Sequence, residues 1–311
     1  MTQSLKDISL LEIFEVLKTK RFVDMTHAFS AQIPHWPGFP PARMETAYHY
    51  DEGIGTLGSG FLAHLYTHSG QWGTHVDPPA HFIKGMRTLD ELDVKEMICP
   101  LAVLDVHEKA ARNPDYAAAP EDLMDWERRN GRLPEGAFVA LRTDWHKRWP
   151  DKAAFANADA SGVPHFPGWG MELLRVLCEE RHVRALGHET TDTDPGCTGS
   201  LPGETYVLSR DIYQIELLTN LDLLPEWDSL VVASWPQTLQ RLRLPGQGFC
   251  HPALSPWPRA AKHPVTRMRA LHPRMRAAPE SHAAVHKDAE TSVPPVEDRQ
   301  QLLGTGPPGV V

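Results

Sequence analysis

The chain is poor in cysteine and in long apolar runs, and each shortage excludes a class of protein. Its 311 residues include four cysteines, which show neither metal-type spacing nor the density of a disulfide framework. No apolar run approaches the roughly 20 residues that a transmembrane helix requires. The first twenty residues also lack the hydrophobic block of a signal peptide. We therefore expect reduced thiols, no membrane association and a cytoplasmic location.

Positive charge is scarce over most of the chain, which argues against nucleic-acid binding there. The formal net charge is −9, yet residues 237–311 hold 10 Lys and Arg against 5 Asp and Glu. That segment is thus +5 and leaves −14 on residues 1–236, and an acidic surface repels the phosphate backbone. The hydrophobic content of the whole chain, 41%, suffices for a sizeable core.

Hydrophobic periodicity predicts strands that alternate with helices. The expected helices lie at 9–18, 89–97, 115–129 and 170–180, and the expected strands at 23–29, 58–67, 101–106, 138–145 and 183–186. Ser9 and Glu12 have the spacing of a capping box, and the apolar face of the first helix is expected to pack on the domain. The alternation favours a mixed α/β domain.

The most informative stretch for chemistry is residues 69–82, which read SGQWGTHVDPPAHF. His75 and Asp77 are two apart, so on an extended segment their side chains leave from the same face. Two prolines follow and end any regular structure, so His81 sits on a rigid loop. Imidazoles and a carboxylate that converge suit a divalent cation in the zinc-to-manganese range. With 17 histidines in the chain, a chance pair in a polar loop is the alternative.

This stretch resembles the H-x-G-T-H-x-D-x-x-x-H signature of the metal-dependent cyclase-like hydrolases, a family that includes bacterial kynurenine formamidase and isatin hydrolase. The resemblance extends over about residues 22–236 and includes VDMTHAF at 23–29, FVALRTDW at 138–145, GHETTDTDP at 187–195 and IELLTNLD at 215–222. It implies one β/β/α domain at 1–236, followed by a tail at 237–311. It also implies a homo-oligomer, either a dimer or a tetramer.

The resemblance assigns five metal ligands. Gln71, His75 and Asp77 match the signature, while Glu204 and Glu216 match a His and a Glu that complete the family's metal centre. Gln71 and Glu204 stand where the family usually has histidine, so oxygen donors replace nitrogen donors. We expect a preference for Mn²⁺ over Zn²⁺, with either one ion or two. For Glu204 the alternative is favourable charge at a helix start.

These residues predict hydrolysis of a C–N bond in an amide, formamide or cyclic amide, as in tryptophan catabolism. The cation would polarise the carbonyl and lower the pKa of bound water, and His81 resembles the family's acid/base residue. Trp36, Trp72 and Phe82 could form a wall for an aromatic substrate, or could belong to the core. Two other functions remain open: a non-catalytic metal-binding relative, and a cyclase or dehydratase acting on a polyketide-like or hydroxy-acid substrate.

The tail has the composition of a disordered segment, since 11 of the 28 prolines lie in residues 237–311. The family usually closes with a strand like SGFPARxFAI, whereas residues 242–252 read LRLPGQGFCHP. Permissible codons for this segment, read one base later, encode SGFPARAFAI. We therefore hypothesise a shift of reading frame near Pro236, the loss of the last strand, and an unstable or aggregating chain. A genuine basic extension that binds nucleic acid is the alternative, and sequencing the gene distinguishes the two.

Overall fold

The computed structural model describes residues 8–51 and 60–236 and the backbone of residues 248–252. The strands are β1 (Val23–Asp24), β2 (Arg43–Tyr48), β3 (Ala63–Thr67), β4 (His75–Asp77), β5 (Ile98–Asp105), β6 (Ala117–Ala118), β7 (Phe138–Arg142), β8 (Gly168–Trp169), β9 (Ala185–His188), β10 (Tyr213–Glu216), β11 (Ser229–Ala233) and β12 (Gly248–Pro252). The helices are α1 (Leu10–Leu17), α2 (His107–Arg112), α3 (Pro120–Asn130), α4 (Lys152–Ala156), α5 (Met171–Arg175) and α6 (Pro202–Ser209). A π-helical segment, Val176–Glu180, continues α5. No helix in the described ranges is long and apolar enough to cross a membrane.

Eight strands form the main sheet, in the order β1-β12-β11-β5-β7-β9-β10-β4. The four central strands, from β5 to β10, run parallel to one another. β4 lies antiparallel to β10 at one end, and β11 lies antiparallel to β5 toward the other. Because these four strands are parallel, their carboxyl ends lie at the same edge of the sheet. In open α/β folds, ligands bind at this edge. The expected mixed α/β fold is present.

A layer of buried hydrophobic side chains packs on each face of the sheet. Leu101 and Val103 of β5 belong to the layer that includes Phe138 and Tyr213, whereas the alternate residues Ala102 and Leu104 belong to the layer under the helices. Strand side chains alternate between faces, so a strand buried on both faces is apolar throughout. This explains why β5 and β7 were recognisable as continuous apolar runs.

The first helix forms where the sequence predicted it but does not pack as expected. The Ser9 hydroxyl accepts the amide N–H of Glu12, and the Glu12 carboxylate accepts the amide N–H of Ser9, so the capping box is confirmed. No residue of α1 is buried, and Leu10 and Phe14 are 83% and 54% exposed. The expectation that its apolar face packs on the domain is therefore wrong within the described residues.

Five of the twelve strands, β1, β3, β5, β7 and β9, fall in predicted strand segments, and the other seven were not predicted. β2 pairs with β3 as a separate two-stranded ribbon, and β11 lies beyond the last resembling segment. β12 pairs with both β11 and β1, so the expectation that residues 237–311 supply no strand is wrong for these five residues. Backbone hydrogen bonding, which any residue but proline can donate, does not require the family's side chains. The expected disorder of residues 253–311 lies outside the described residues.

Candidate metal centre

Strand register brings three of the five predicted ligands together. β4 and β10 are antiparallel, with His75 opposite Glu216 and Asp77 opposite Gln214. Residues directly opposite each other project from the same face, and alternate residues of a strand share that face. His75, Asp77 and Glu216 therefore converge, and each is at most 5% exposed.

The distances between these ligand atoms fit a shared cation. Nε2 of His75 lies 3.4 Å from Oδ1 of Asp77 and 3.4 Å from Oε2 of Glu216. Donors bound to a tetrahedral ion at ordinary bond lengths are about 3.3–3.6 Å apart. Nδ1 of His75 donates to the carbonyl oxygen of Gly73 over 2.7 Å, which leaves the lone pair on Nε2, facing the carboxylates. The donor set thus fits a divalent cation.

Gln214 organises the carboxylates, and sequence reasoning missed it. Its Nε2 donates to Oδ2 of Asp77 at 3.2 Å, to Oε1 of Glu204 at 3.0 Å and to Oε1 of Glu216 at 3.1 Å. Its Oε1 accepts the hydroxyl of Thr193 at 2.6 Å, which orients the carboxamide. The other carboxylate oxygens, Oδ1 of Asp77 and Oε2 of Glu216, face Nε2 of His75. Gln214 lies two residues before Glu216, so on a strand both side chains share a face, and this spacing could have predicted its place beside the ligands.

Glu204 reaches the same centre from the first turn of α6. The amide groups of Gly203 and Glu204 donate to Asp194 at 2.8 and 3.1 Å, which fixes the start of the helix. Glu204 belongs to two sets of side chains that could share a cation. One set includes Asp77 and His81, and the other includes Asp192 and Glu216. Each group lies within 4.8 Å. Asp192 was not among the predicted ligands.

Burial and mutual repulsion raise the pKa values of three acids in this cluster, Asp192, Glu204 and Glu216. Burial, together with Asp192 and Asp194, raises the pKa of Glu204 to about 9. Burial and Asp194 raise the pKa of Asp192 to about 7, and burial raises the pKa of Glu216 well above its ordinary value. A divalent cation supplies the opposite charge that favours the ionised forms. The electrostatics of the cluster therefore agree with its geometry.

Gln71 and His81 lie on the open side of the cluster. Nε2 of Gln71 is 3.5 Å from Nδ1 of His81, and Nε2 of His81 is 3.8 Å from Oε1 of Glu204. Burial and the nearby His75 lower the pKa of His81 to about 4. The sequence predicted His81 as a proton carrier that is not needed as a ligand. In the structure, a ring nitrogen of His81 and one oxygen each of Asp77 and Glu204 lie within 4.8 Å of one another, close enough to share a cation.

A cavity of about 240 Å³ opens onto the cluster. Gln71, His75, His81, Glu204 and Glu216 line it, and Trp36, Phe39 and Phe82 supply aromatic walls. A second cavity of about 870 Å³ adjoins it and shares Trp36, Thr191, Asp192 and Leu201. Of the three predicted aromatic residues, Trp36 and Phe82 thus line the site.

Trp72 does not line either cavity, contrary to the prediction that it forms part of the substrate wall. Its side chain is fully buried, its ring stacks on His35 at 3.7 Å, and its Nε1 donates to the carbonyl oxygen of Ser30 over 2.9 Å. A buried indole that has satisfied its N–H packs well in a core. Trp72 is therefore a core residue that supports the glycine-rich turn before His75.

A second polar cluster, formed by Asp144, His146 and Glu189, serves structure. Oε2 of Glu189 accepts the amide and hydroxyl of Thr143 and the amide of Trp145 at 2.8–3.0 Å. Its other oxygen lies 2.8 Å from Nδ1 of His146. The ammonium of Lys147 is 2.7 Å from Asp144, so this cluster already contains its cation. It ties the end of β7 to the loop after β9.

Comparison with known proteins places these features in context. The family model Cyclase ("Putative cyclase") matches residues 23–195. The isatin hydrolase of Roseibium aggregatum is 33% identical over 177 residues, which cover 54% of this chain and 66% of that protein. The kynurenine formamidase of Bacillus thuringiensis (strain Al Hakam) is 31% identical over 217 residues, covering 70% of this chain and 90% of that protein.

Solved structures show the same fold. Isatin hydrolase A from Labrenzia aggregata bound to benzyl benzoate superposes with a TM-score of 0.72 at 30% identity, and covers 79% of this chain and 100% of that chain. Isatin hydrolase A from Ralstonia solanacearum has a TM-score of 0.72 at 27% identity, and covers 80% and 100%. The expected resemblance is confirmed by both sequence and structure.

Proposed function

The chain belongs to the Cyclase family of metal-dependent hydrolases, and from this membership we propose that it opens a C–N bond of a small amide, formamide or cyclic amide. The proposal rests on Nε2 of His75, which lies 3.4 Å from both Asp77 and Glu216. His75 and Glu216 line a cavity. Relatives named isatin hydrolase and kynurenine formamidase match 54% and 70% of this chain. Their two names differ in substrate but share hydrolysis of a non-peptide C–N bond.

Each residue of the site has a distinct part in the proposed reaction. His75, Asp77 and Glu216, with Glu204 and Gln71 beside them, would hold the cation. When bound, a divalent cation polarises a carbonyl and lowers the pKa of water. Gln214 holds the carboxylates in their orientation through its contacts with their outer oxygens.

His81 supplies proton transfer in this proposal. Its depressed pKa keeps the imidazole neutral at physiological pH, so it can accept a proton from the attacking water and return it to the leaving nitrogen. The Glu204 carboxylate, 3.8 Å away, would stabilise the imidazolium formed between these two transfers. Nε2 of the Gln71 carboxamide lies 3.5 Å from the other ring nitrogen, Nδ1.

We propose an aromatic or cyclic amide as the substrate. Trp36, Phe39 and Phe82 give the inner cavity flat apolar walls, which suit an aryl ring. The adjoining cavity of about 870 Å³ would admit a substituent on that ring. Isatin and N-formylkynurenine are the first substrates to test, with tryptophan catabolism as the pathway context and a cytoplasmic location as in the sequence prediction.

We propose Mn²⁺ rather than Zn²⁺ as the preferred ion. In the ligand groups around the centre, His75 and His81 offer nitrogen, whereas Asp77, Asp192, Glu204 and Glu216 offer oxygen. Carboxylate and carboxamide oxygens favour manganese, whereas nitrogen and sulfur donors favour zinc.

We further propose that a second copy of this chain covers α1 and the β2–β3 ribbon. An isolated helix of eight residues is marginal in water, as is a lone two-stranded ribbon, yet neither has a buried residue. Leu10 and Leu11 on α1 and Met44, Leu65 and Tyr66 on the ribbon are about half exposed or more. A homodimer would bury these surfaces twice, once for each copy.

Hydrolysis assays with added Mn²⁺ test the proposed function. We expect the protein to open isatin or to deformylate N-formylkynurenine, and we expect Asp77→Asn to lose both metal and turnover. Asp51→Asn changes an exposed carboxylate to the same amide and should leave both unchanged. Stoichiometric metal without turnover of any amide would support the non-catalytic alternative, and turnover that survives complete chelation would contradict metal dependence.

A further inference from the structure

His188 is a buried imidazole that none of the roles above uses. It ends β9, is 1% exposed, and neither of its ring nitrogens has a hydrogen-bond partner among the described residues. Buried polar groups are nearly always paired, and an unpaired one destabilises the fold. The presence of an imidazole here therefore calls for an explanation beyond packing.

Strand register places His188 in line with the metal centre. β9 and β10 are parallel, with Leu186 beside Gln214 and Gly187 beside Ile215, so the next residue along, His188, lies beside Glu216 on the same face. Glu216 is in turn opposite His75 on β4. His75, Glu216 and His188 therefore form one row across three neighbouring strands.

The Glu216 carboxylate lies between the two imidazoles of this row. Its Oε2 is 3.4 Å from Nε2 of His75, and its Oε1 is 3.6 Å from Nε2 of His188. The second distance exceeds that of a hydrogen bond by only a few tenths of an ångström. A small rotation of the carboxylate or the ring would complete the contact.

We propose that His188 is a positioning residue of the metal centre, whose Nε2–H donates to Oε1 of Glu216 and thereby directs Oε2 toward the cation. Gln214 donates to the same Oε1 at 3.1 Å, so both donors would act on the oxygen that faces away from His75. Carboxylates that bind metals are commonly held by such outer hydrogen bonds, and losing one typically weakens metal binding ~10–100-fold. This inference rests on the proposed metal-dependent function.

Two substitutions separate positioning from packing. His188→Phe keeps a ring but removes the donor, whereas His188→Gln retains an N–H near the position of Nε2. We expect His188→Phe to weaken Mn²⁺ binding about 10-fold or more, measured by calorimetric titration and by electron paramagnetic resonance of free Mn²⁺. We expect His188→Gln to recover most of the affinity. Metal-free His188→Phe should melt no lower than the parent, because an unpaired polar group has been removed.

Several outcomes would overturn the proposal. If the parent binds Mn²⁺ and His188→Phe binds it with unchanged affinity, His188 has no positioning role. If both variants lose metal as completely as His75→Ala does, His188 is a ligand instead. A parent protein that binds no divalent cation would overturn the proposed function together with this inference.

Discussion

Gln71 and Glu204 are the two positions at which this chain has oxygen donors where its family usually has histidine. Both side chains line the same cavity as His75, so the exchange lies at the proposed metal centre. Because donor type governs the choice between manganese and zinc, these two residues offer a direct test of metal selection.

Restoring nitrogen donors should change the preferred ion. We expect the double substitution Gln71→His with Glu204→His to raise the activity with Zn²⁺ relative to Mn²⁺ by about 10-fold or more, an order-of-magnitude expectation from donor softness. Metal content by mass spectrometry and turnover across a metal series provide the measurement. Parent protein that purifies with stoichiometric Zn²⁺, which Mn²⁺ can neither displace nor match in activity, would contradict the proposed preference.

His81 has two possible roles, proton transfer and metal binding, and substitution separates them. We expect His81→Ala to lower turnover by ~10²–10⁴-fold, the usual contribution of a general acid/base, while metal content remains near that of the parent. Parallel assays of turnover and bound metal distinguish the roles. If metal falls as far as in Asp77→Ala, the ligand group of Asp77, His81 and Glu204 is the correct assignment.

His27 should make the fold sensitive to acid. Its ring stacks on Trp149 at 3.9 Å, and burial together with the nearby His146 lowers its pKa to about 3. The unfolded imidazole titrates near pH 6.5, so the unfolded state binds more protons between these values. The stabilising contribution is therefore complete above pH 6.5 and is lost as the pH falls toward 3.

His27→Phe should reduce this acid sensitivity. The phenyl ring can keep the stacking contact but cannot bind a proton, so we expect a smaller drop in the free energy of unfolding between pH 7.5 and pH 5 than in the parent. Urea denaturation at the two pH values measures it, and His49→Phe, which alters an exposed imidazole, is the matched control. His188 has a similarly lowered pKa of about 3, so part of the effect should remain. Equal drops in parent and His27→Phe would contradict the assignment.

Among the elements, β12 has the clearest consequence for stability. It pairs with β11 over five residues and with β1 over two. Without it, β1 and β11 would expose unpaired backbone groups, and such edges promote aggregation. The five backbone positions of β12 therefore complete the sheet at this end.

Two truncations test the role of β12. A chain that ends at residue 252 retains β12, whereas one that ends at residue 236 loses it. We expect the longer chain to keep the melting temperature of the parent, and the shorter one to melt several degrees lower, since ~1 kcal/mol shifts Tm by ~2–4 °C at this size. Thermal unfolding and size-exclusion chromatography compare them. Equal melting temperatures would mean that β12 contributes nothing to stability.

At the scale of the whole molecule, exposed apolar surface predicts self-association. The proposed second copy covers α1 and the β2–β3 ribbon, so charges placed on these surfaces should oppose it. We expect Phe14→Glu combined with Leu65→Glu to convert an oligomer into a monomer, measured by light scattering after size exclusion. Met124→Glu on α3 is the control, because Met124 is similarly exposed at 53% but lies elsewhere. A parent that is monomeric at high concentration would contradict the proposal.

Local patterns were sufficient to predict much of this protein. Apolar runs predicted β5 and β7, because strands buried on both faces need apolar residues throughout. The Ser9 and Glu12 spacing predicted the start of α1. The signature at residues 71–81 predicted His75 and Asp77 as ligands, and the resembling segment at 215–222 predicted Glu216. The structure brings these three side chains together, as the shared face of alternate strand positions leads one to expect.

Tertiary structure alone decided which other side chains surround the centre. Gln214 lies near the predicted ligands because β4 pairs with β10, which joins residues more than 100 positions apart in sequence. His188 lies there because β9 pairs with β10, and Asp192 follows in the loop after β9. The tertiary structure also buries Trp72 against His35 and leaves Trp36 in the cavity. Sequence periodicity specifies which face of a strand a residue occupies, but the neighbours on that face are set by pairing between distant strands.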